Sequence, residues 1–97
     1  MVDLGTLTAS DFAPRLHERF RVAPAGGAAF DADLIEVSEA EPGRGRRQFS
    51  LVFRGGASPP LPQGIHRVEH EALGALDIFL VPLGPDEIGQ RYQAVFT

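Results

Sequence analysis

The sequence reads as a mainly β fold: a small six-stranded, mostly antiparallel barrel or compact sandwich with one short N-terminal helix. Three observations carry that reading. From residue 19 onward, apolar residues recur at every second position, the period of a strand with one buried face. Glycine and proline, 11 and 8 of the 97 residues, interrupt the alternation at short intervals. The connections between the alternating runs are too short for helical crossovers, so the strand pairs are expected to be antiparallel.

The first element is the exception to the two-residue period. Thr8 to Glu18 reads as a short helix, with Thr8 or Ser10 as the cap and Asp11 in the first turn, where the helix dipole favours an acid. Phe12 and Leu16 lie four apart on one face. A helix this short does not stand alone, so that face is expected to pack on the strands and plug one end of the barrel. Pro14 confines it to two or three turns.

The strands follow in order. Phe20 and Val22 alternate with Arg19 and Arg21, and Pro24 to Gly27 turns the chain. Phe30, Ala32 and Leu34 alternate with Asp31 and Asp33. Ile35 and Val37 then break the phase, which predicts a bulge near Leu34–Ile35. After a polar loop from Ser38 to Arg47, Phe49, Leu51 and Phe53 form the cleanest strand. Gly55 to Gly64, with three prolines, is a loop. Ile65 to Glu71 is strand-like with His66, Val68 and His70 on one face, and Ala72-Leu73-Gly74 reverses the chain. Ala75 to Leu83 carries apolar residues on both faces, which predicts burial on both sides or a helix over the outer face. Gly84 to Gly89 turns into a last strand with Tyr92, Ala94 and Phe96. The expected core is Phe20, Phe30, Phe49, Phe53, Leu76, Ile78, Leu80 and Phe96.

Residues 1–97 fit a single β-rich domain, with the helix at about 8–18 and strands from about 19. There is no cysteine, so neither disulfides nor thiolate metal sites support it. The N-terminus lacks the basic and apolar segments of a secretory signal, and the longest apolar run, Ile78 to Leu83, is too short to span a bilayer. The expectation is a cytoplasmic protein that does not engage membrane. With nine Arg, no Lys and a net charge of −4, the chain is also a poor nucleic-acid binder, since phosphate neutralisation supplies most of that affinity. The Arg-for-Lys bias goes with abundant Ala, Gly and Pro and is read as compositional.

No catalytic, cofactor-binding or metal-binding residues are assigned. His66 and His70 are i and i+4, a chelating pair on a helix but about 13 Å apart on a strand. His17 on the helix adds no third ligand by spacing. Asp31, Asp33 and Glu36 resemble a carboxylate cluster, yet Asp31 and Asp33 share the wetted face of one strand. Ser50 and Ser58 lack a nucleophile elbow, and Gly26-Gly27 and Gly55-Gly56 lack the Lys of a phosphate loop. Two candidate surfaces remain. Arg44, Arg46 and Arg47 form a basic knot in an acidic chain, and Pro59, Pro60 and Leu61 form a rigid loop that presents an apolar side chain at low entropic cost. His66, His70 and Tyr92 are the candidate lining of a barrel-mouth pocket.

Leu7 to Phe12, Phe49 to Gly55, Leu61 to Gly64 followed by His66 to His70, Leu73-Gly74, Phe79 to Gly84 and Tyr92 to Phe96 together resemble an uncharacterised family of short bacterial proteins, a domain of unknown function. The resemblance spans nearly the whole chain. It implies an association with phage-tail-collar-like proteins and supplies no catalytic residues. The expected function is a non-enzymatic structural or protein-interaction module, an accessory of a phage-tail-like assembly. It is expected to engage a protein partner or a second copy through an open strand edge or the Pro-rich loop. The alternative is a small-ligand-binding barrel or minor enzyme using the barrel mouth.

Overall fold

The computed structural model describes residues 9–24, 27–39, 49–56 and 61–96. One α-helical turn, α1 (Ala9–Phe12), runs into a 3-10 turn (Ala13–Arg15). Six strands follow: β1 (Arg19–Ala23), β2 (Phe30–Glu39), β3 (Phe49–Gly55), β4 (Gly64–His70), β5 (Gly74–Pro85) and β6 (Gln90–Phe96). They close into a barrel in the order β1-β2-β3-β6-β5-β4, with every neighbouring pair antiparallel. Two three-stranded meanders, β1-β2-β3 and β4-β5-β6, are joined by two non-local seams. β3 meets β6 from Phe49↔Phe96 to Arg54↔Arg91, and β1 meets β4 from Arg21↔Glu69 to Ala23↔Arg67.

The interior of so narrow a barrel is filled by side chains rather than left as a pore. Phe20, Val22, Leu34, Leu51, Phe53, Val68, Leu76, Leu80 and Tyr92 point inward and are all but sealed from solvent. Phe20 and Phe53 meet edge to face with ring centroids 5.2 Å apart. Six of the eight expected core residues are buried, while Phe30 and Phe96 are only partly so and pack against the core from its rims. β2 and β3 approach so closely at Gly55 that a Cβ there would lie 2.3 Å from the Asp31 carbonyl oxygen.

The helix is shorter than the expected span of 8–18 and buries a different face. Pro14 falls in the 3-10 turn, and His17 takes a left-handed φ of 71° that ends the segment. Beyond it the chain already behaves as a strand. The His17 N–H donates to the Leu34 carbonyl at 2.6 Å, and the Leu34 N–H donates to the Glu18 carbonyl at 3.1 Å. Leu16 is therefore exposed instead of sharing the Phe12 face. Phe12 plugs the barrel end, fully buried against Phe49 and Phe96 at 5.8 and 5.7 Å, with Ala9 buried beside it.

The expected bulge is present: the β2–β3 register shifts between Leu34 and Glu36. A second shift, between Pro82 and Gly84, sits where β5 has run past the start of β4. There the missing N–H groups of Pro82 and Pro85 interrupt no β4 ladder. The outer face of β5 differs from its expected burial. Phe79 is half-exposed and Leu83 exposed, so the apolar residues on that face have no cover among the described residues. Among the described residues the closed barrel confines the expected open strand edge to the end of β5 beyond Leu80, where β5 has no β4 partner.

Candidate functional site

Antiparallel closure sorts the connections to two ends. The helix, the start of β1, the end of β4 and the Phe49–Phe96 stack lie at one end. At the other lie the end of β3, the start of β4 and the β5–β6 turn, which places both limbs of the Pro-rich loop beside that turn. Gly89 of the turn comes to within 3.7 Å of the Gly55 Cα, measured from an ideal Cβ position.

The β5–β6 turn is held by one carboxylate. Asp86 Oδ1 accepts from the Ile88 N–H at 2.8 Å and the Gly89 N–H at 2.9 Å, and Asp86 Oδ2 accepts from Arg54 Nη1 at 3.2 Å. The Asp86 N–H donates to the Gly89 carbonyl at 2.9 Å. The Gly89 and Ile88 amides, and after them Arg54, hold the Asp86 carboxyl below its ordinary value of 3.8. What the turn displays is Ile88, which is 74% exposed.

The Pro-rich loop is tied down next to it. The Leu61 N–H donates to Tyr92 Oη at 2.8 Å, and Leu61 packs partly buried against the core. Tyr92 is itself buried, with its ring 6.2 Å from that of Phe30. One residue along, His66 Nε2–H donates to the Pro62 carbonyl at 3.0 Å. Burial thus gives Tyr92 a structural task, since a buried hydroxyl needs a partner, and His66 ties the same loop from a more exposed position.

Leu61, His66 and Tyr92 therefore gather at the loop end. His70 does not join them. It lies four residues along β4, at the helix end, where its ring packs 4.5 Å from Phe20. The Ala72 N–H donates to His70 Nδ1 at 2.9 Å, so Nε2 carries the proton and donates to Glu18 Oε1 at 2.7 Å. Arg44, Arg46, Arg47, Pro59 and Pro60 lie outside the described residues. Among the described residues no group of three His, Cys, Asp or Glu side chains could hold a metal. Asp31 and Asp33 flank Arg19 at 3.9 and 3.5 Å on the outer wall, solvated ion pairs of small energetic weight.

A cavity of about 460 Å³ is lined by Arg19, Phe20, Arg21, Asp31, Glu69 and His70 among others. In the strand register Arg21 sits opposite Asp31 on one side and Glu69 on the other. It contains neither His66 nor Tyr92. Sequence reasoning passed over Asp86 and Ile88. The available signal was an isoleucine inside a Gly-Pro-Asp turn, where a polar residue is the norm.

A family model for a domain of unknown function, DUF6916, matches residues 7–96. The chain belongs to the DUF6916 family. The DUF6916 match takes in the helix, all six strands and both loops of the end described above. Its description carries no activity, so no DUF6916 site residue is transferred to this chain. No curated protein and no solved structure matches the chain. No helix of the described residues is long and apolar enough to cross a membrane.

Proposed function

We propose that this DUF6916 protein is a non-enzymatic protein-interaction module that engages a protein partner through the loop end of its barrel. One observation carries the reading: an isoleucine 74% exposed in a turn whose Ile88 and Gly89 amides are both held by the Asp86 carboxylate. An apolar side chain on a preordered turn loses little conformational entropy when it enters a partner's pocket. The tethered Leu61 limb beside it widens the contact, and the side chains that pack the barrel favour a scaffold over a chamber. An accessory role in a cytoplasmic bacterial assembly of the phage-tail type belongs to this reading, resting on the family resemblance.

The test uses the full chain as bait, in its wild-type and Ile88→Asp forms, against extract of the source cells. The proposal expects at least one protein retained by the wild type to be lost with Ile88→Asp, with the thermal midpoint unchanged because the side chain is exposed. Equal retention by both forms rejects the loop end as the contact.

A further inference from the structure

We infer that the outer wall formed by β4 and β5 is a self-complementary surface on which a second copy of this chain docks across a two-fold axis. On β4, His66 and Val68 belong to the inward row, opposite Ile78 and Leu76 on β5, so Ile65 and Arg67 point outward, as do Phe79 and Asp77. Ile65 is registered against Phe79, and Arg67 against Asp77. Ile65 is 70% exposed and Phe79 49%, a large apolar pair in open water. Such a cross-strand pair steadies the sheet and, left exposed, also offers apolar surface to a partner. Neither Arg67 nor Asp77 takes part in an ion pair or side-chain hydrogen bond among the described residues.

The register decides which occupant fits. Consider a two-fold axis lying in the contact plane, parallel to the strands and midway between β4 and β5. It exchanges the two members of every cross-strand pair. Arg67 is carried over Asp77 of the second copy, and Asp77 over its Arg67. Ile65 is carried over Phe79, and Phe79 over Ile65. Two ion pairs then lie side by side, two residues along from a four-residue apolar centre, and no like charges from these four positions meet. An isologous contact requires this kind of self-complementarity. The next pair along, Glu69 and Ala75, sets an acid against a small neutral side chain, which is tolerated. The patch is small for a permanent interface, so the association is weak and reversible.

Sedimentation equilibrium of the full chain at low salt, up to about 1 mM, tests this. The average mass is expected to rise reversibly toward that of a dimer. Arg67→Glu and Asp77→Arg should each raise the dissociation constant about tenfold or more, because each sets two like-charge pairs face to face. The double variant should return it to within about threefold of wild type, and Phe79→Lys should leave monomer only. All these side chains are exposed, and an unchanged thermal midpoint confirms that each variant folds. Ile88→Asp should not alter the association, so this test and the partner-capture test fail independently. A chain that stays monomeric at about 1 mM, a dimer indifferent to the single charge reversals, or a double variant as weak as the singles overturns the inference.

Discussion

At the residue scale, His70 and Asp86 show how hydrogen bonding assigns a polar side chain a job. His70 is locked by two hydrogen bonds, one accepted at Nδ1 from Ala72 and one made by Nε2 to Glu18. Replacing it with alanine removes both and takes one of two ring contacts from Phe20, leaving that with Phe53. His70→Ala is expected to lower stability by about 1–3 kcal/mol in denaturant unfolding. The i, i+4 spacing of His66 and His70 made the pair conspicuous in sequence. What the spacing could not supply was the element type, and on β4 the two rings serve opposite ends of the barrel.

Asp86 gives the molecule a pH dependence of defined sign. Its carboxyl is held below 3.8 in the fold, so the folded state favours the ionised form. That contribution is fully present above the unfolded value and is lost as pH falls through the folded value. Comparison with Asp86→Asn isolates it, since the amide oxygen still accepts from the turn. The gap between the two melting temperatures should be constant above about pH 5 and close as pH falls below 4. A gap independent of pH would remove the carboxylate's charge from the account of the turn.

At the scale of elements, strands were far more legible than their surroundings. Phe49, Leu51 and Phe53 alternate because β3 has one face on the core, and a period of two is a local property that any short window shows. The bulge was legible for the same reason, since Ile35 breaks a phase already established by Phe30, Ala32 and Leu34. The helix was less so. Pro14 and the left-handed His17 shorten it, and no nearby residue signals that Leu16 turns away. The outer face of β5 was misread because apolar residues on both sides normally mean burial, and here Phe79 faces water.

The Pro-rich loop depends on one hydroxyl. Tyr92→Phe keeps the buried ring and deletes the acceptor for the Leu61 N–H. The expected loss is about 0.5–1.5 kcal/mol, with faster amide exchange confined to Leu61 and its neighbours. Unaltered exchange at Leu61 would mean that the loop is held by packing alone.

At the scale of the whole molecule, closure is what local pattern could not reveal. The β1–β4 seam joins Arg21 to Glu69 and Ala23 to Arg67, pairs far apart in sequence with no local signature, so barrel and sandwich stayed alternatives until the register was seen. Closure removes most free edges and fills the interior. It leaves loops and outer walls as the places where this chain can meet another. Asp86 and Ile88 belong to that outcome, because Arg54, on a strand distant in sequence, ties the turn that Asp86 shapes to the barrel wall.

The most direct test is a photo-cross-linking scan of the full chain in source cells, with the reactive side chain placed in turn at Leu61, Ile88, Arg21 and Glu36. The loop-end account predicts one discrete adduct with another protein, strong at Leu61 and Ile88 and absent at Arg21 and Glu36. Adducts at Arg21 or Glu36 with none at Ile88 would contradict it.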